Sequence, residues 1–339
     1  MDQKFLDQMC IGELHSIYRR GLDHWSPRDI ANWLHTKGGI IGQDAAVKAA
    51  ALTVYNHYEG RPSISLFMGP TGSGKTEIWR ALQREYGPDN IVLHDASTLS
   101  AEGWKGSNKI STLFRSMQAG RRERVILVLD EIDKVIAPMY GAHDTNYSDL
   151  IQNQLLRLCD HDPLFFGGDD GRMPALSVDC AQVSVVMLGA FERLAQSKAQ
   201  DAQPLGFGRP KAEAEAAGRE TPPITLDDLI AFGLRAELAG RIDRIVQLDP
   251  LDIPALVQIG QAELERLSQQ MGRPVTAMPE LLIMLSRVAQ RRGLGARWLR
   301  ARLRDLLDQQ IYDSPQADAY HLEYEPADAD ARRQGACMA

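Results

Sequence analysis

Short continuous apolar runs alternate along this chain with longer stretches in which apolar residues recur every three or four positions. That is the pattern of strands alternating with helices. Ile64-Ser65-Leu66-Phe67-Met68, Ile91-Val92-Leu93-His94, Arg124-Val125-Ile126-Leu127-Val128-Leu129 and Val183 to Gly189 read as strands. The third has no polar alternation, as expected of a strand buried on both faces of a parallel sheet. Ser26-Pro27 supplies a serine cap and a first-turn proline, which predicts a helix from Arg28 to His35 ending at Gly38-Gly39. A long helix then runs through Val54-Tyr55-Asn56-His57-Tyr58, and another continues through Glu77-Ile78-Trp79-Arg80-Ala81-Leu82. Pro250 to Pro254 marks a hinge into a helical region, with amphipathic helices predicted at about 255–271 and 279–291. Phe5, Leu6, Met9, Leu14, Ile17 and Tyr18 give residues 1–25 a short helical period as well.

Chemistry enters where the first of these strands ends. Gly69-Pro70-Thr71-Gly72-Ser73-Gly74-Lys75-Thr76 follows it directly and opens a helix, which is the strand, glycine loop and helix context of a phosphate-binding P-loop. The glycines let backbone N–H groups converge on an anion at the positive end of the helix. Lys75 would neutralise the β- and γ-phosphates, and the Thr76 hydroxyl would hold Mg²⁺. The buried run 124–129 ends in Asp130-Glu131, two carboxylates at a strand's C-terminal end, where α/β sheets place ligands. Asp130 would join the Mg²⁺ shell and Glu131 would polarise an attacking water. Strand ends also finish on acids merely to cap the next helix. Together with a P-loop, the pair predicts a protein that binds and hydrolyses a nucleoside triphosphate.

Composition narrows the remaining classes. At 339 residues the chain can hold two domains, and its 44% hydrophobic and 24% charged content is that of a globular protein. A net charge of -7 argues against a general nucleic-acid surface. No basic stretch interleaved with aromatics points to a DNA-directed motor. The longest apolar runs fall short of a membrane span, and the polar, acidic N-terminus is unlike a signal peptide, so the cytoplasm is the expected compartment. Cys10, Cys159, Cys180 and Cys337 are scattered, without a C-x-x-C pair or zinc spacing.

The segment SPRDIANWLHTKGGIIGQDAAVKAAALTVYNHY resembles the entry into the AAA+ module of the ClpX family of protein-unfolding ATPases. The similarity covers roughly residues 27 to 325, with its motifs in the family's order. DEIDK at 130–134 and LIQNQLLRLCDHD at 150–162 fit the same family. In it, Ile40 and Ile41 would pack on the adenine base; they also suit an ordinary core. Gly103-Trp104-Lys105-Gly106 stands where the family carries its aromatic pore loop, with Lys105 in place of a small apolar residue; a lone loop tryptophan can equally plug its own core. The family's basic triplet for substrate tags is missing between Gly167 and Pro174, where Arg172 stands near Asp169 and Asp170. No Asn or Thr sensor follows Val183 to Gly189. Leu205-Gly206-Phe207 lies in a Pro- and Gly-rich loop, where the family has its peptidase-docking tripeptide; incidental apolar loop residues read the same way. LRAELAGRIDRIVQLDPLD aligns Arg241 with the family's arginine finger, and Gly293 to Arg297 aligns Arg297 with its second sensor.

The resemblance implies an α/β fold: an AAA+ module with a parallel-sheet P-loop ATPase core followed by a small helical lid domain. The expected divisions are a helical segment over 1–36, the large domain over 37–250, the lid over 251–325 and a tail over 326–339. No zinc-binding domain precedes the module in this reading. The implied activity is that of an ATP- and Mg²⁺-dependent unfoldase acting on protein substrates as a homo-hexamer and feeding a ClpP-type peptidase. The alternative is a remodelling chaperone that works on specific complexes without a protease.

Overall fold

The computed structural model describes residues 25–100, 109–110, 114, 124–139, 146–161, 163–166, 176–201 and 223–323. Residues 103–106 and 205–207, the predicted pore and docking loops, lie outside the described residues, as do residues 1–24 of the predicted N-terminal helical segment and residues 324–339. The chain divides into two compact units. One takes in Met1–Ile40, Asp44–Gly69 and Lys75–Leu248; the other takes in Ile41–Gln43, Pro70–Gly74 and Asp249–Ala339.

The first unit begins with the helix Pro27–Thr36, set by a capping box. The Ser26 hydroxyl accepts the Asp29 N–H, and the Asp29 carboxylate accepts the Ser26 N–H in return. The helix Asp44–Tyr58 follows, then β1 (Ile64–Met68), the helix Lys75–Tyr86 and β2 (Ile91–Asp95). Next come β3 (Val125–Asp130), the helices Ile132–Ile136 and Tyr147–Cys159, the hairpin β4 (Leu164–Phe166) and β5 (Leu176–Val178), and β6 (Val183–Gly189). The helices Glu192–Asp201, Leu226–Phe232 and Ala236–Ala239 and the strand β7 (Arg244–Gln247) complete this unit.

The central sheet has five strands in the order β2-β3-β6-β1-β7, all parallel. Both of its faces are covered, which explains the unbroken apolar runs. Ile64, Leu66, Met68, Leu127, Leu129, Val185 and Met187 join one hydrophobic cluster, while Phe67, Ile126, Val128, Val186 and Leu188 join the other. Alternate residues of each strand thus face opposite layers. Trp79 is fully buried and meets Phe67 edge to face at 5.6 Å, pinning the helix after the glycine loop onto β1. The fifth strand, β7, and the β4–β5 hairpin were not among the strands read from the sequence. Both are short, and β7 is only partly buried, so neither carries a strong periodic signal.

The second unit is built on three helices, Ile253–Met271, Pro279–Arg291 and Gly295–Asp313. Asp252 caps the first by accepting the Ala255 N–H at 2.8 Å, and Gly272 ends it at φ +63°. Leu256, Leu282, Leu285, Leu299, Leu303 and Leu307 form its core. Two short parallel strands, β8 (Val275–Ala277) and β9 (Tyr320–Leu322), close it. Among the described residues no helix is long and apolar enough to cross a membrane.

Candidate active site

Parallel register brings the ends of β1 and β3 to the same edge of the sheet, with β6 between them. β1 delivers the chain into the glycine loop, and β3 delivers Asp130 and Glu131. The Thr76 hydroxyl, in the first turn of the helix Lys75–Tyr86, donates to Asp130 Oδ2 at 2.9 Å. Two residues far apart in sequence, each read as a magnesium ligand, therefore meet. Lys75 is buried, and its ammonium donates to the Gly69 carbonyl at 2.5 Å, so its charge is held against the loop rather than in solvent.

The glycine loop itself carries a polar group without a partner. Ser73 is 2% exposed and its hydroxyl finds no hydrogen bond among the described residues. A buried hydroxyl left so is costly unless something fills the loop. A phosphate oxygen supplies the acceptor that the Ser73 hydroxyl lacks, so the residues fit a polyphosphate. They also fit Mg²⁺, which is bound through one or two protein oxygens with phosphate and water completing the shell. No cluster of three or more His, Cys, Asp or Glu among the described residues offers a self-sufficient metal cage.

Glu131 adopts φ +58°, ψ 34°, left-handed backbone that a non-glycine residue enters at a cost. It precedes the helix Ile132–Ile136 without capping it, and its carboxylate takes an ion pair from Lys134 at 2.5 Å. Phe191, just past β6, is likewise left-handed at φ +50°, and its N–H donates to Asp133 Oδ2 at 3.3 Å. Two of the four left-handed non-glycine residues among the described residues thus stand at strand ends, where ligands bind in α/β sheets; Gln43 and His161 are the others. Sequence reading found the carboxylates but not the Lys134 pairing, whose i, i+3 spacing could have signalled it.

Within the second unit, Gly72 of the loop packs on Gly295 at the start of the last long helix. A Cβ on Gly295 would stand 2.8 Å from Gly72 Cα, and the Ala296 N–H reaches the Gly72 carbonyl at 3.3 Å. Both glycines hold positive φ, +79° and +61°. Arg297 follows in the first turn of that helix and is exposed. Ile41 is half-buried against this unit's leucine core, and Gln43 donates to the Asp249 carbonyl at 2.7 Å. Ile40 is buried in the first unit's core beside Ile30 and Leu34.

Arg241, just beyond the helix Ala236–Ala239, is half-exposed and paired with Asp160. Arg244, the neighbouring arginine, instead lies on β7 and donates to the Ala49 carbonyl at 3.3 Å, which ties it into its own fold.

A family model described as "AAA domain (Cdc48 subfamily)" matches residues 61–245, more than half of the chain. A protein of Wolinella succinogenes described as "ATP-dependent Clp protease ATP-binding subunit ClpX 2" is 25% identical over 354 aligned positions, which cover 92% of this chain and 86% of that protein.

Proposed function

The chain belongs to the AAA domain family (Cdc48 subfamily) and is a ClpX-like AAA+ ATPase, and we propose that a homo-hexamer of it uses ATP hydrolysis to unfold and thread protein substrates. The observation that carries the reading is the meeting of Thr76 and Asp130 beside a buried Lys75. Lys75 and the loop N–H groups of Gly69 to Gly74 hold the β- and γ-phosphates of ATP, with Pro70 and Thr71 shaping the turn. Ile40 and Ile41 contact the base. Thr76 and Asp130 are the residues that would hold Mg²⁺, which when bound neutralises charge on the phosphates.

Glu131 orients and polarises the attacking water, from which its carboxylate can accept a hydrogen bond while Oε2 stays paired with Lys134. Arg241 of a neighbouring protomer supplies positive charge to the transferring phosphoryl, and Arg297 adds a further cation from the protomer's own last long helix. Trp104, flanked by Gly103, Lys105 and Gly106, grips the chain being threaded. Leu205-Gly206-Phe207 docks on a ClpP-type peptidase. The 25% identity to a Clp protease subunit supports that partnership, as does the apolar pair in a polar loop.

The test is ATP-dependent unfolding of a tagged fluorescent protein, followed by its degradation when the host's ClpP-type peptidase is added. Wild type is expected to unfold the substrate, Glu131→Gln to bind ATP without turnover, and Trp104→Ala to hydrolyse ATP without unfolding. Unfolding that survives in Trp104→Ala overturns the pore assignment. Robust unfolding with no peptidase bound replaces the peptidase partnership with protease-independent remodelling.

A further inference from the structure

Asp160 is the C-cap residue of the helix Tyr147–Cys159, and its own N–H bonds back to the Leu156 carbonyl at 2.9 Å. A carboxylate at a helix C-terminus faces the negative end of the dipole, so this residue opposes the helix that carries it. Its partner accounts for its presence. Arg241 Nε donates to Asp160 Oδ1 at 2.5 Å across the fold. The carboxylates close to Arg241 in sequence are engaged elsewhere: Asp243 accepts the Ile64 N–H at 2.7 Å, and Glu237 pairs with Arg235.

How the pair is made matters more than that it exists. Only Nε is taken. Neither terminal Nη of Arg241 has a hydrogen-bond partner among the described residues, and the side chain is half-exposed. A guanidinium is a rigid planar fork, so fixing Nε fixes its plane and aims the two Nη groups away from the tether. An untethered arginine must instead be ordered from many rotamers at the moment it is needed.

We infer that Asp160 is a positioning residue that holds the Arg241 guanidinium by Nε so that its two Nη groups face a phosphoryl of the neighbouring protomer. This rests on the reading of Arg241 as the residue that acts across the ring. Asp160 touches neither nucleotide nor the reacting atoms; it acts through Arg241. Because the pair uses a single edge of the guanidinium, the tether need not break for Arg241 to reach phosphate.

The experiment measures kcat, KM and nucleotide affinity of the full-length chain as Asp160→Ala, Asp160→Glu, Arg241→Ala, Arg241→Lys and Asp160→Ala/Arg241→Lys, with thermal midpoints for each. Asp160→Ala is expected to lower kcat about tenfold, the scale of losing one preorganised side chain, with KM and nucleotide affinity unchanged. Its midpoint should not fall, since the carboxylate opposed the helix dipole. Asp160→Glu should recover part of the rate. In the Arg241→Lys background, removing Asp160 should cost nothing further, because lysine has no Nε edge for the carboxylate to hold and no planar fork to aim. An equal loss in both backgrounds, or a lowered midpoint that tracks the loss, assigns Asp160 a merely structural role and overturns the inference. Wild-type kcat in Asp160→Ala, with Arg241→Ala inactive, refutes the positioning alone. Wild-type kcat in Arg241→Ala refutes the role of Arg241 and the inference with it.

Discussion

Gly295→Ala separates two costs that glycine substitutions usually confound. The backbone there sits at φ +61°, and an alanine in that region costs about 1–2 kcal/mol from its own Cβ. The same Cβ would stand 2.8 Å from Gly72 Cα and 2.9 Å from both its carbonyl carbon and oxygen. Those are backbone atoms, which cannot swing aside as a side chain can. Overpacking of this kind costs about 1–3 kcal/mol more. Gly293, two residues earlier, is the natural control: its φ is +64°, yet a Cβ there meets nothing within 4 Å. Gly293→Ala should therefore lose only the conformational part. The difference between the two variants measures the contact with the glycine loop. In Gly295→Ala some of it should appear as nucleotide binding, since displacing Gly72 moves Ser73 and Lys75 with it; each 1.4 kcal/mol so spent weakens binding tenfold. Thermal unfolding with titration of a fluorescent ATP analogue reads both quantities. Should the two variants lose equal stability and equal affinity, the approach of Gly295 to Gly72 does not shape the loop.

Lys75→Ala should abolish ATP binding measured by calorimetry, because the phosphates lose their buried counter-charge; retained affinity would refute its place in the site. His57 is buried with Nδ1 on Ser184 Oγ at 2.9 Å, and burial pushes its pKa down to about 4, with the Arg124 charge adding to the shift. The unfolded chain takes up that proton near pH 6.5, so the stability from keeping His57 neutral is complete above 6.5 and falls by about 3 kcal/mol as pH drops to 4. His57→Gln should flatten that part of the pH dependence in denaturant unfolding, and an unchanged slope would refute the assignment. Glu263 is 3% exposed and takes ion pairs from Arg266 at 2.6 Å and Arg304 at 2.8 Å, with Arg300 at 3.9 Å. Glu263→Gln should destabilise the protein by about 1–3 kcal/mol, less than a fully buried pair because the arginines can turn to water, and an unaltered unfolding midpoint would count against it. Phe207→Ala should lose co-precipitation with a ClpP-type peptidase while ATPase activity persists; equal binding would dismiss the loop as the docking element.

What the sequence by itself determined was whatever depends on neighbours along the chain. The glycine spacing of 69–76, the unbroken run into Asp130-Glu131 and the cap at Ser26 are covalently local. Each has few conformations available to it, so residue type alone settles the outcome. The helical unit after Pro250 was legible for the same reason, its leucines recurring at a helical period. The weaker elements were not. β7 and the β4–β5 hairpin are short, and their strand character comes from pairing with partners distant in sequence rather than from any pattern of their own. The pairing of Arg241 with Asp160, and of Gly72 with Gly295, joins residues of common type from separate elements, and no local signal distinguishes Asp160 from any other acid near a helix end. The left-handed backbone of Glu131 belongs to the same class, because a glutamate holds that conformation only where the surrounding strands and helices impose it. Local chemistry fixed which groups could bind phosphate, and the fold decided what each of them holds on to.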